Sequence, residues 1–318
     1  MAATTHSIPA SGAGSSLAFI QESTFKTTPS TPSLVELACL PPTLNPEAEQ
    51  FVSEQINALR VQKASRHTGR SGTLQVPMEL SYGAADALLA GALKDEWAVD
   101  TPSSGTDQLV FDTTELTYAI ELKRGDAATP YIVTGNGVLF NSFSMEIVAD
   151  GNTAVRANFG AMVAKVTVGT SSADADGYTA PTSNDPLIAA DGAIEMDSSA
   201  FVAVSISVQY DDPRQPIRAI GSLEASAFAP NGNRSLTGEL AFYANNKDHL
   251  DRYLAEASHE IVVTLTDPDG NVLALTLHEV KFGAPRESAD SGSIRVTAPF
   301  TAIRATGATP LTINRTPA

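Results

Sequence analysis

The sequence predicts a mainly β protein made of two similar units, each flanked by a short α-helix, and three observations carry that reading. Val, Ile and Thr alternate with polar residues along most of the chain, while Gly and Pro supply 22 and 19 of its 318 residues; many short strands joined by turns have this composition. Apolar residues at Leu74, Val76, Met78 and Leu80 precede a helical spacing through Asp86, Leu88, Leu89 and Leu93. The pattern returns at Leu236, Leu240 and Phe242, then Asp248, Leu250, Tyr253 and Leu254, at a constant offset of 162, close to half the chain. Strand phase and helix phase held in one register point to an internal duplication. The length allows two domains of about 150 residues, each able to bury a core.

The expected organisation is a mobile start over 1–16, a first β unit over 17–169, a linker or exposed excursion over 170–190, rich in Ser, Ala, Asp, Gly and Pro, and a second β unit over 191–318. Strands are expected at 17–21 and near 34–40. Residues 45–72 show no clean period and read as a long functional loop. Pro77 cannot donate to a ladder, so the 73–80 strand is expected at a sheet edge. Gly83 suits the start of the first helix, with Asp86 at its positive end. Period-two runs follow at Leu116 to Leu122, Phe143 to Ile147 and Val155 to Val163.

In the second half, Val202 to Tyr210 is expected as a strand, 211–233 as a second long loop, and 246–257 as a helix burying Leu250, Tyr253, Leu254 and Ala257 on a sheet. Ile261, Val263 and Leu265 lead into Asp267-Pro268-Asp269-Gly270, and Leu273, Leu275 and Leu277 return, the pattern of a β-hairpin. Apolar parity then changes between Leu277 and Val280, which predicts a β-bulge near His278 or Glu279. Pro299 implies another sheet edge in the final Ile294 to Phe300 strand.

With 20 basic and 36 acidic residues the formal charge is −16, so adhesive binding of nucleic acid is disfavoured. The single cysteine, Cys39, excludes an internal disulfide framework and is expected in the core. The first 16 residues lack a basic start followed by an apolar run, and no stretch reaches the roughly 18 apolar residues of a span. A cytoplasmic origin is therefore expected. No G-x-S-x-G elbow, phosphate-binding glycine loop or H-E-x-x-H spacing occurs, so no catalytic residue, cofactor site or metal site is assigned and the chain is not expected to be an enzyme. Asp174, Asp176 and Gly177 match part of a calcium loop, but Ser172 and Ser183 stand where acidic ligands are needed, and a solvated turn is expected.

Three segments resemble the major tail tube proteins of long-tailed, non-contractile bacteriophages, the siphovirus tail tube family. They are Gln21-Glu22-Ser23-Thr24-Phe25 with Thr27-Thr28-Pro29, Met78-Glu79-Leu80-Ser81-Tyr82-Gly83, and Leu265-Thr266-Asp267-Pro268-Asp269-Gly270-Asn271. The ending Ile313-Asn314-Arg315-Thr316 is similar to members of that family. The resemblance implies β-sandwich or barrel units assembled into rings that stack as a hollow tube for DNA ejection. It places the protein in the virion tail, with the host cytoplasm as the site of assembly. Implied partners are further copies of the chain, the tape measure protein and genomic DNA in the lumen without tight binding, and the tail terminator and distal tail proteins, with no membrane. Two units per chain favour a trimeric ring of pseudo-sixfold shape over a hexamer.

Against the acidic background, Arg60, Lys63, Arg66 and Arg70 form a local basic cluster in the first long loop. They either solubilise the loop, meet acidic residues of the next ring, or face the lumen. The alternative from another class is a carbohydrate-binding or adhesin-type β-sandwich of a tail tip. Such a module stacks sugars on several exposed aromatic rings, and here there is one tryptophan, Trp97.

Overall fold

The computed structural model describes residues 11–55, 59, 61–62, 64–127, 129–151, 153–288, 292–304 and 309–318. The first half contains strands β1 (Ser15–Gln21), β2 (Val35–Glu36), β3 (Thr43–Val52) and β4 (Ser65–Glu79), helix α1 (Asp86–Leu93), then β5 (Asp107–Val110), β6 (Tyr118–Arg124), β7 (Tyr131–Val148) and β8 (Arg156–Gly169). The second half contains β9 (Gly192–Met196), β10 (Ser199–Ala200), β11 (Ser205–Asp211), β12 (Arg214–Ile217), β13 (Ala227–Pro230) and β14 (Ser235–Tyr243). Helix α2 (Asp248–Ala255) follows, then β15 (His259–Thr266), β16 (Val272–Phe282), β17 (Arg286–Ser288), β18 (Arg295–Ala302) and β19 (Leu311–Thr316).

Pairing is antiparallel throughout these strands, and the two halves repeat one strand order. In the first it is β2-β1-β6-β7-β8-β4-β3. In the second it is β10-β9-β15-β16-β18-β14-β11, with β17 continuing the line of β16 along β18. The irregularities repeat as well. The register slips between Tyr118 and Ile120 in one half and between His259 and Ile261 in the other, the latter placing the extra residue between Leu277 and Val280 as the parity change predicts. A second slip lies between Phe140 and Ser142, and its counterpart between Phe282 and Arg286. Bulges are built features of a strand pair, so two matched ones fix the alignment of the halves.

That alignment corrects the offset taken from the apolar pattern. The helices stand 162 apart, Asp86 onto Asp248. The strands before them stand 164 apart, since Met78 opposes Ala157 as Phe242 opposes Val296. A difference of two keeps every side chain on its face, which is why the pattern alone did not reveal it.

Other expectations are also corrected. Residues 45–72 are largely a hairpin, β3 pairing with β4 from Thr43↔Gln75 to Val52↔Ser65. Their apolar period is absent because almost all of β3 is exposed on both faces. Strand β4 is not an edge: Pro77 pairs with β8 and lies beyond the stretch that β3 covers. Strand β18 is internal too, between β14 and the β16–β17 line, and Pro299 sits where that line is interrupted. The second long loop contains the β12–β13 hairpin. The 170–190 stretch lies mostly at the surface and is held at two points, since Asp174 accepts from the Leu34 N–H at 2.8 Å and Leu187 is buried.

One apolar core runs through both halves, from Leu17, Leu74 and Phe159 to Val208, Leu240, Val263 and Ile313. The recurring sequence segments have local tasks in it. The buried Glu22 carboxylate accepts from the backbone N–H groups of Lys26 and Gly137, at 3.0 and 2.9 Å, and so shapes the turn that follows β1. In the β15–β16 hairpin, Asp267 accepts from both the backbone and the side chain of Asn271, and Gly270 holds φ at +93°. Cys39 packs at the margin of the core, where burial beside Glu36 pushes its thiol up to about 11.

Candidate assembly interface

The joint between the halves is a strand pair. Strand β7 is 18 residues long; its first part pairs with β6, and its last part, Ser142 to Val148, pairs with β11 of the second half. Val208 opposes Met145 and Tyr210 opposes Phe143, all four buried. The rings of Phe143 and Tyr210 lie 5.6 Å apart, a close aromatic pair that adds to the area it buries.

A buried charge cluster closes the same joint. Lys94, the left-handed residue that ends α1, is fully buried and donates to Asp212, just beyond β11. Asp212 also accepts from Arg214 Nε at 2.9 Å, and Arg214 reaches Glu115 at 2.6 Å. Burial draws the Lys94 ammonium below the ordinary lysine range, and the bond to Asp212 opposes that shift. Removing the Asp212 carboxylate leaves Lys94 buried without a counter-charge, a state costing about 3–5 kcal/mol by analogy with other buried pairs. The periodicity gave no sign of Lys94, because one lysine after an apolar helix reads as a solvated end.

A second clamp lies at the other end of α1. Arg315 of β19 donates to Asp86 at the helix start and to Asp107 of β5 at 2.8 Å, with its guanidinium 4.5 Å from the centre of the Trp97 ring. This is the arginine of the Ile313-Asn314-Arg315-Thr316 ending.

Two of the strand edges that lack a strand partner among the described residues bear on assembly. One is the outer edge of β3, whose hairpin with β4 extends beyond the core; the other is the outer edge of the β16–β17 line at 283–288. The hairpin carries two of the predicted basic residues. Arg66 and Arg70 are exposed on β4, while Arg60 and Lys63 lie outside the described residues. A register slip between Glu49 and Gln50 puts Arg66 and Arg70 on opposite faces of the hairpin. Its base is braced by Arg218, which pairs with Glu49 at 2.8 Å and lies against Gly69, where a side chain would collide with the guanidinium.

The strands from β4 through β8, β7, β11 and β14 to β18 form one continuous surface. Its apolar face lies on the core, and its opposite face forms a trough of about 830 Å³. Ser144, Asn158, Ser207 and Thr237 line it, with Glu146, Glu239 and one arginine, Arg156. No group of three or more acidic, His or Cys side chains among the described residues is arranged to hold a metal ion, and no described helix is long and apolar enough to cross a membrane.

No curated protein matches the chain. The family model for phage tail tube proteins matches residues 12–302, which takes in both copies of the repeat and the joint between them. The chain belongs to the phage tail tube protein family and is a structural subunit of a virion tail tube.

Proposed function

We propose that this chain is the ring-forming subunit of a siphovirus tail tube, and that three chains close one ring of six similar units. The ring-building units are 17–169 and 191–318, joined by 170–190. The repeated strand order carries the reading: one joint between units already exists inside the chain, and the corresponding edges, β3 and 283–288, are open. Joining two units covalently raises their effective concentration for each other and halves the contacts a closed ring must form between chains.

The trough is the stretch of tube wall that faces the lumen. With hydroxyl and amide side chains, Glu146 and Glu239 against Arg156 as its one arginine, the trough offers a polyanion few cations to displace its counterions, so DNA passes without tight binding. The tape measure protein occupies the same channel before ejection, and tail terminator and distal tail proteins cap the stack. Assembly takes place in the host cytoplasm, and the protein has no catalytic role. Arg66 and Arg70 of the β3–β4 arm, together with Arg60 and Lys63, contact acidic residues of the adjacent ring.

Native mass spectrometry or reconstruction of assembled tubes tests the stoichiometry. Three chains per ring are expected, and six overturn the trimer. Reversing Arg66 and Arg70 to Glu is expected to leave folding intact and shorten the tubes; wild-type length and yield would remove the arm from the inter-ring contact.

A further inference from the structure

The internal repeat allows the contact between neighbouring chains to be written residue by residue. Aligned on the shared bulges, β3 is the counterpart of β11, with Asn45 at the place of Gln209. Residues 283–288 are the counterpart of the end of β7, with Arg286 at the place of Ser144. Within the chain Gln209 faces Ser144 across the joint. We infer that, in the ring proposed above, β3 of one chain pairs antiparallel with 283–288 of the next, Asn45 opposite Arg286, Leu44 opposite Glu287 and Thr43 opposite Ser288.

The hydrogen bonding follows from the same template. Asp212 N–H donates to the Asn141 carbonyl and Ala149 N–H to that of Val204, so the even-numbered residues of β11 turn their backbone groups toward β7. Their counterparts Leu44, Pro46 and Ala48 turn theirs to the open edge. Leu44 and Glu287 exchange two bonds, and Ala48 N–H reaches the Gly283 carbonyl. Between them Pro46 meets Pro285, the one place in this ladder where neither strand donates. In the free subunit each proline blunts an exposed edge against pairing with chance strands. Opposed in the ring, the two prolines confine the missing donors to one position.

The chemistry around this ladder differs from the joint inside the chain. Glu256, the left-handed residue ending α2, stands where Lys94 does, and Ala48 stands where Asp212 does. The contact between chains therefore lacks the buried ion pair and rests on the ladder and on the arm.

Cysteine cross-linking tests the register, because a disulfide needs Cα atoms within about 7 Å and the non-hydrogen-bonded pair of an antiparallel ladder brings them to about 4.5 Å. In a Cys39→Ser background, Asn45→Cys with Arg286→Cys is expected to link chain to chain in oxidised rings and to give a covalent three-chain product on non-reducing gels. Asn45→Cys with Ser288→Cys, two residues out of register, is expected to stay unlinked. Rings that form without the first link, that link equally in the second pair, or in which Asn45→Cys links to its own kind overturn the register and leave the ring reading standing. As a check on the unaltered protein, the amides of Leu44, Ala48 and Glu287 are expected to gain protection from hydrogen exchange on assembly; exchange at the free-subunit rate overturns the proposal. A wild-type chain that forms no rings overturns the functional reading and this contact with it.

Discussion

Helices α1 and α2 start at equivalent aspartates, run for eight residues each and end on left-handed residues, yet one is enclosed and the other lies open. Leu88, Leu93 and Ala92 of α1 are fully buried, whereas Leu250, Tyr253 and Leu254 of α2 are 40%, 37% and 75% exposed. The apolar spacing of α2 predicts the opposite, and the correction has three physical causes. After α1 the chain inserts β5, which β19 covers; after α2 it enters β15 almost at once. Gly91 lets α1 sit directly on Tyr118 and Phe140, and at that place in α2 stands Tyr253. Lys94 pins the end of α1 to the other half, while Glu256 has its backbone carbonyl bonded by Lys281 and its counterpart charge missing. The repeated scaffold thus positions both helices, and the residues that differ decide which one the subunit covers for itself. In the proposed ring they also enforce alternation. Two first units in contact would bury Lys94 against Ala48, and two second units would set Glu256 against Asp212.

The comparison can be broken at its strongest point first. Asp212→Ala is expected to destabilise the subunit by about 3–5 kcal/mol, read from denaturant midpoints, because Lys94 and Arg214 lose their shared partner. A loss below about 1 kcal/mol would mean that the cluster is hydrated and not a lock. Next, Gly91→Ala places a methyl 2.8 Å from the Tyr118 ring and is expected to cost about 1–3 kcal/mol, while Tyr253→Ala at the matching position costs under about 1 kcal/mol. Equal costs would show that α2 is as firmly seated as α1. The smallest expected change is Leu254→Ser, within about 0.5 kcal/mol in thermal melts of the free subunit; a larger loss would place that side chain in the core.

How far the sequence could be read depended on which residues face the core. The β15–β16 hairpin, its bulge and the paired helices were legible because Leu265, Leu273, Leu277 and Val280 answer to one buried face. Strand β3 was not, since Glu47, Glu49 and Phe51 are all exposed and a strand exposed on both faces shows no apolar alternation. Proline was misread in a consistent way: Pro77 and Pro299 mark local gaps in a ladder, which sequence alone cannot tell from the edge of a sheet. The residues of the proposed assembly surface draw on both kinds of signal. Arg66 and Arg70 are exposed as expected, but the bulge that turns them to opposite faces, and the lock between Lys94 and Asp212, depend on contacts between distant parts of the chain.

Strand β7 belongs to both halves, and this orders events during synthesis. When residues up to Val148 have left the ribosome, the end of β7 still lacks the strand that will cover it, and Lys94 lacks its carboxylate. Both arrive together with Ser205 to Asp212, more than 50 residues later. At roughly 5–20 residues per second the unfinished half waits several seconds with a ladder open. A product that stops within that interval lacks the acid that buries Lys94 and the strand that covers β7, so it is expected to be cut by protease faster than the full chain and to stay out of the tube.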